Sequence, residues 1–294
     1  MARQISTLPV GAIVKSVNTK YYNSVIRFIV GHKTADRVKL ITEKIITLKC
    51  FDGREPGNYL SDREKYGSSR YSYSNIGQWL NSAAGAGKWH SGTSADRLPS
   101  ESLVYGGYNE YDAEAGFLYN FEESFRDAIL DTTIRVVKSP PDGGGYEDIT
   151  RKVYLLSRTE VGLGITNGIA EGSKWDLFSN DNSRKAYPTA EAVSRSEYTN
   201  SNLNASSPWY WWLRAPSAST SCNARNVNTD GTLNYNSAYN GSRGVRPALE
   251  LDSGILVSDE PDTDGAYIIT WWTPPDMSFN IGGVKKVYDK GWCK

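Results

Sequence analysis

The chain has 294 residues, with 33 basic and 33 acidic side chains and a formal net charge of zero. A balanced charge with no basic block argues against a nucleic-acid footprint, and no stretch approaches the 18 apolar residues of a membrane-spanning helix. The 19 tyrosines and 9 tryptophans suit either a core packed with large rings or an exposed recognition face.

The N-terminal MARQISTLPVG lacks a basic region followed by an apolar one. Synthesis in the cytoplasm without a secretory signal is therefore expected. Val10 to Val17, Ser24 to Gly31 and Arg37 to Cys50 are rich in Val, Ile and Thr and read as strands. A helix should follow, capped by Ser72 or Ser74, with Ile76, Trp79, Leu80 and Ala83 at helical spacing and Gly85 and Gly87 ending it. Residues 88–115 read as a long loop.

A second helix is expected from about Ala115 to Leu130. Phe117, Leu118, Phe121, Phe125, Ala128, Ile129 and Leu130 would form its apolar face, and Glu114, Glu122, Glu123, Arg126 and Asp127 its solvated side. Thr132 to Lys138 and Glu147 to Ser157 read as a hairpin around Ser139–Gly145. That glycine-rich tip is no phosphate loop, because no Lys-Ser or Lys-Thr follows it. Short helices are expected near Lys174 to Leu177 and over Ala190 to Ser194.

Pro208 to Leu251 is the most informative stretch. Trp209, Tyr210, Trp211 and Trp212 open it, and Gly244, Val245, Arg246, Pro247, Ala248 and Leu249 close it. Between them lie Ser, Thr, Asn and Tyr. A rigid frame around adaptable polar residues is the composition of a recognition surface. Ala224 to Val227, Thr232 to Tyr235 and Val245 to Leu251 read as strands, separated by turns at Asn228–Gly231 and Asn240–Gly241. In an extended strand Trp211 and Trp212 face opposite sides.

After Leu251 the chain turns acidic. Asp262-Thr263-Asp264-Gly265 resembles part of a calcium loop but lacks the full spacing. A solvated turn is expected, with calcium as the alternative. Ala266 to Thr273 reads as a strand, Pro274-Pro275 as a connector, and FNIGGVKKVYDKGWCK as a small hairpin. Cys50, Cys222 and Cys293 show no disulfide or metal spacing, and Cys222 is expected near the surface. With only His32 and His90, a His-rich metal site or a His-based triad is not expected.

The segments WYWWLRAP and ARNVNTDGTLNYNSAYNGSRGVRPALEL, with SYSNIGQWLNS and EAGFLYNFEESF upstream, resemble bacterial and phage proteins that carry a C-type-lectin-like domain. The likeness covers most of residues 1–258. It extends to the variable proteins of diversity-generating retroelements and to phage tail-associated or prophage-encoded members. The resemblance implies an α+β fold, two helices packed on a mixed or antiparallel sheet. It divides the chain into a ligand-binding domain at 1–258 and a small C-terminal β extension at 259–294, whose end resembles the tails of phage tail proteins.

The same resemblance implies receptor binding in a virion. The partners would be a host-cell surface protein or glycan and, through the C-terminal segment, other tail proteins; a homo-oligomer fits as well. Ser217, Thr220, Asn223, Asn226, Asn228, Asn234, Asn236, Tyr239, Asn240 and Ser242 are the expected ligand contacts, on a surface that the resemblance makes open to diversification. Arg214 and Arg246 are expected to tie the strands together. Formylglycine-generating enzymes share the suspected fold but need a cysteine pair that is missing here. The sugar motifs of calcium lectins are missing too. No enzyme and no cofactor are expected; a structural tail protein and a carbohydrate-active enzyme are the alternatives. For the enzyme, Glu110, Asp112, Glu114, Glu160, Glu171 and Asp176 are the carboxylates on hand, and nothing in the sequence pairs them.

Overall fold

The computed structural model describes residues 2–92, 97–270, 279–281 and 284–286. The N-terminal part supplies strands β1 (Ala2–Gln4), β2 (Ile13–Tyr21), β3 (Ser24–Lys33), β4 (Arg37–Thr42) and β5 (Thr47–Leu48). Helices α1 (Ser61–Tyr66), α2 (Asn75–Leu80) and α3 (Glu123–Ala128) follow. The middle adds β6 (Thr132–Val137), β7 (Tyr146–Arg151), β8 (Val153–Tyr154), α4 (Asp181–Arg184) and α5 (Ala190–Ser194). The remaining strands are β9 (Trp211–Pro216), β10 (Asn223–Val227), β11 (Leu233–Ser237), β12 (Gly244–Val245), β13 (Ala248–Asp252), β14 (Leu256–Ser258), β15 (Ala266–Thr270), β16 (Phe279–Ile281) and β17 (Val284–Lys286).

An eight-stranded mixed sheet runs in the order β1-β14-β15-β2-β3-β4-β13-β8, and a five-stranded mixed sheet in the order β11-β10-β9-β12-β5. Two hairpins, β6-β7 and β16-β17, complete the strands. This corrects the expected C-type-lectin-like α+β fold. Strands dominate, and the described α-helices are only four to six residues long.

The reason lies in how the apolar segments satisfy their backbones. Ser74 caps α2 as expected, its hydroxyl accepting from Gly77 N at 3.2 Å. The helix then ends at Asn81, whose amide behaves like a strand edge. Its Oδ1 accepts from Val153 N (3.1 Å) and its Nδ2 donates to Val153 O (2.7 Å). The expected second helix shrinks to α3. Phe117 N donates to Trp79 O and Leu118 N to Ser82 O, both at 3.0 Å, instead of to carbonyls of its own turn. Gly116 permits this approach, since a Cβ there would lie 2.2 Å from Ser82 O. The apolar periodicity marked burial correctly, because Phe117, Leu118, Phe121 and Phe125 are all buried. Helical spacing and a packed run of turns share that signature.

The first two N-terminal readings form as strands, β2 and β3 pairing Val14 with Phe28 and β3 and β4 pairing Val30 with Leu40, whereas Arg37 to Cys50 breaks into β4 and β5, which belong to different sheets. Ile26, Phe28 and Val30 alternate into the core. An aromatic row extends from Phe28 through Phe125, Phe121 and Phe117 to Trp79, with centroids 4.8 to 5.7 Å apart. Ala190–Ser194 is helical as expected, whereas residues 174–177 form a turn. The reading Val245 to Leu251 splits at Arg246-Pro247 into β12 and β13, which belong to different sheets.

β15 lies between β14 and β2, parallel to β2. The expected division after Ser258 therefore cuts the large sheet rather than separating two units. Lys15 on β2 donates to Asp264 at 2.6 Å and pairs with Asp262 at 2.6 Å. The acidic turn thus anchors β15 through an ammonium group. The expected Trp271-Trp272 strand end, the Pro274-Pro275 connector and Cys293 lie outside the described residues. Among the described residues no helix is long and apolar enough to cross a membrane, and no group of three or more His, Cys, Asp or Glu is arranged to hold a metal ion.

Candidate functional site

Strand β9 is wholly buried and supports the site. Trp211 and Trp212 point to opposite sides, as their alternation requires. Trp211 Nε1 donates to Arg184 O (3.0 Å) and Trp212 Nε1 to Lys49 O (2.9 Å). Arg214, on this strand, is 1% exposed. Its Nη1 donates to Glu160 Oε2 at 2.5 Å and to Leu155 O at 2.9 Å, and its Nε to Arg135 O at 3.1 Å. Arg246, equally enclosed, donates from Nε to Thr42 O at 2.8 Å. Both arginines are framework, as expected.

Next to this frame, residues 238–243 form a loop with most of its backbone groups engaged. Ala238 O accepts from Phe51 N and Asp52 N, Tyr239 N donates to Tyr66 O, and Tyr105 N donates to Tyr239 O. Asn109 Nδ2 holds Gly241 O at 2.8 Å, while Lys49 N holds Arg243 O at 3.0 Å. Gly241 is required here, because a Cβ would lie 2.0 Å from Tyr108 O. A loop fixed by its own backbone binds without first being ordered.

This backbone gathers three tyrosines from separate segments. Tyr66 and Tyr105 both meet Tyr239 edge-on, at centroid distances of 5.6 and 5.5 Å. Tyr66 stays 38% and Tyr105 51% exposed. Burial, with Tyr105 and Tyr66 beside it, pushes the Tyr239 hydroxyl above its usual value. From this face a chain of polar contacts leads inward. Asn240 Nδ2 reaches Asn236 Oδ1 at 3.5 Å, and Asn240 Oδ1 accepts from Ser242 N (2.9 Å) and Ser242 Oγ (2.7 Å). Arg243 Nη1 then donates to Ser242 Oγ at 2.8 Å. Arg243 lies at the wall of a groove of ≈ 570 Å³ lined also by Tyr198, Tyr210, Lys185 and Asp230.

Four of the ten expected contacts, Asn236, Tyr239, Asn240 and Ser242, are thus brought together, although Ser242 is itself buried. Asn228 shapes the β10–β11 turn, where its backbone N donates to Thr232 O at 2.8 Å. Thr220, Asn223 and Asn234 are half-buried and stand apart from the tyrosines in these contacts. Besides Ser242, two placements need correction. Ser217 is buried, its N donating to Asn223 O at 2.7 Å. Asn226 is fully buried, facing Trp212 on β9, and both its amide atoms lack partners among the described residues. The alternation of β10 sends Asn226 inward with Ala224, which the sequence could not orient without knowing which face was covered. Cys222, expected near the surface, is buried too.

Tyr66, Tyr105 and Arg243 were missed as site residues. The first two come from distant segments without a shared motif. Arg243 had a signal, being the sole cation between Arg225 and Arg246 in a polar stretch.

A second cluster lies in a polar pocket of ≈ 270 Å³ lined by Lys49, Glu110, Asp112, Glu114, Arg195 and Glu197 among others. Three of the carboxylates considered for catalysis meet there. Lys49 Nζ and Tyr22 Oη donate to Glu114 Oε1 at 2.7 and 2.8 Å. Burial pushes the Tyr22 hydroxyl up to about 12, with Glu114 adding to the shift. Burial and the neighbouring Glu197 carboxyl raise Glu110 above the usual carboxylate range. Of the other three, Glu160 pairs with Arg214, Asp176 with His32, and Glu171 is buried and accepts from Val137 N.

Neither the curated proteins nor the solved structures contain a match to this chain. The family model described as a domain of unknown function matches residues 36–253, which span β4 to β13 and include the tyrosine face, the loop and the groove. That match covers most of the chain, which therefore belongs to the DUF6273 family.

Proposed function

We propose that the chain is a ligand-binding module that meets its partner through the face of Tyr66, Tyr105 and Tyr239 and the adjoining residues Asn236 and Asn240. The observation that carries the reading is the clustering of three partly exposed tyrosines on a loop whose backbone is already fixed. Tyrosine offers a large amphipathic contact at low entropic cost. A fixed loop spares the ordering cost of binding. The partner we envisage is a cell-surface protein or glycan. The setting in a phage tail or prophage-derived particle rests on resemblance alone and adds nothing to the argument from residues.

The test is binding of the labelled full-length protein to a panel of bacterial cells, beside a Tyr66→Ala, Tyr105→Ala, Tyr239→Ala triple variant. Saturable binding that drops by about tenfold or more in a variant with an unchanged melt supports the reading. Equal binding by both proteins, or none by the parent across the panel, overturns it.

A second reading, hydrolysis of a glycan, is favoured by the polar pocket, where burial and the neighbouring Glu197 raise Glu110 above the usual carboxylate range. Release of reducing ends by the parent and not by Glu110→Gln would support it. No release from any envelope polysaccharide by the parent would remove it.

A further inference from the structure

The groove beside the tyrosine face has a chemistry distinct from it. Its volume, ≈ 570 Å³, falls within the range of small-molecule sites. Tyr198 and Tyr210 supply rings, Asn200 and Asn202 supply amides, and Lys185 and Arg243 supply positive charge. Asp230 is the one acid in the lining, and Lys185 of the same lining is a cation acting on it. The Asp230 Oδ1 is held by Thr232, accepting from Thr232 N at 3.0 Å and from Thr232 Oγ1 at 2.6 Å.

Arg243 is the unusual member. Its guanidinium stands 4.4 Å from the Tyr210 ring centroid, and its Nη1 donates to Ser242 Oγ. Its buried Nε has no partner, and no carboxylate lies within 4.0 Å of it among the described residues. Burial pulls this guanidinium below its usual value. Arg243 as a whole is half-buried, but keeping its Nε out of water without a partner is costly. Arg214 meets that cost with Glu160, and Arg246 with two backbone carbonyls. Arg214 and Glu160 also line a groove, but every nitrogen of Arg214 is engaged there, whereas Arg243 keeps an unpartnered Nε beside its own groove.

We infer that this groove binds an acidic saccharide, the sugar carboxylate seated on Arg243 and the ring beside Tyr198 and Tyr210. The inference rests on the reading of the chain as a binding module and names the class of its ligand. A guanidinium presents a planar fork that matches a carboxylate. Tyrosine rings pack against the C–H faces of a sugar, and the amides of Asn200 and Asn202 adapt to its hydroxyls. A bare inorganic anion would use the fork and leave the rings and amides idle.

The experiment is calorimetric titration of the full-length protein with two tetrasaccharides. One is a hyaluronate tetrasaccharide, which alternates glucuronate with N-acetylglucosamine. The other is chitotetraose, which has N-acetylglucosamine throughout and no carboxylate. The acidic one is expected to bind about tenfold tighter or better, and Arg243→Gln to lose about tenfold with little change in melting temperature. The triple tyrosine variant should keep this affinity, which separates the groove from the face. Equal binding of the two sugars, no binding of the acidic one, or displacement by inorganic phosphate at the same concentration overturns the inference. Should Arg243→Gln fail to fold, Lys185→Gln replaces it. A loss of about threefold supports the groove, and an unchanged affinity overturns it. Failure of these titrations, with cell binding still lost in the triple tyrosine variant, would leave the binding-module reading standing.

Discussion

Arg214 and Arg243 flank the same polar stretch, and the protein treats them in opposite ways. Arg214 lines a groove of ≈ 490 Å³ but is fully satisfied, with Glu160 at 2.5 Å and three carbonyls around it. Arg243 has one hydroxyl, one ring and an idle Nε. A buried ion pair of good geometry holds strands together and leaves no free donor for an outside group. A half-satisfied cation on the wall of a groove is open to an outside group. The contrast separates the frame of this domain from its recognition surface more sharply than composition does, since both regions are rich in Tyr, Trp and Arg.

The largest effect should come from breaking the satisfied side. Arg214→Met strands the buried Glu160 and should cost about 3–5 kcal/mol in urea unfolding. A loss below about 1 kcal/mol would make the two arginines equivalent and dissolve the comparison. Gly241→Ala comes next. Its Cβ would press on Tyr108 O, so the loop must shift, at a cost of about 1–3 kcal/mol. Weaker cell binding should accompany that cost; unchanged binding would show that the loop geometry does not matter to the face.

Smaller effects sharpen the boundary between the two regions. Asn226→Leu replaces an unpartnered buried amide with an apolar group of similar size and should raise stability by about 1 kcal/mol. Asn236→Ala, on the partly exposed side, should stay within about 0.5 kcal/mol. A clear loss of stability in the Asn226→Leu variant would mean that the amide is satisfied in solution.

The last prediction concerns pH. Glu110 is raised in the folded protein, by burial first and then by Glu197. Such a carboxyl contributes stability that is present below its unfolded value and is lost as pH rises through its folded value. The melting temperature of Glu110→Gln, relative to the parent, should therefore climb as pH rises from about 4 to 7. A flat difference would show that neither burial nor Glu197 raises Glu110.

Much of the frame was legible from residues alone. The Val- and Ile-rich segments at 13–42 form strands, Ser74 caps α2, and Trp211 and Trp212 divide between opposite sides. Arg214 and Arg246 are buried ties. The expected fold failed on Phe117–Phe125, where helical spacing described burial but not the hydrogen bonds. Those donors went to Trp79 and Ser82, far away in the chain, and no local propensity encodes such partners. The site was legible only in part. Tyr239, Asn236 and Asn240 stand where a polar surface was expected, whereas Asn226 turned inward.

The sequence by itself determined the strand-forming segments, the burial of the large rings and the polar character of residues 217–243. These follow from local preference and from apolar area, which each residue carries with it. The tertiary structure decided which side of β10 faces the core, which backbone groups close the 238–243 loop, and which distant tyrosines meet Tyr239. It also decided that Arg214 finds a carboxylate and Arg243 does not. Those outcomes depend on contacts between segments far apart in the chain, and a charge is satisfied or left open only by what the fold brings beside it.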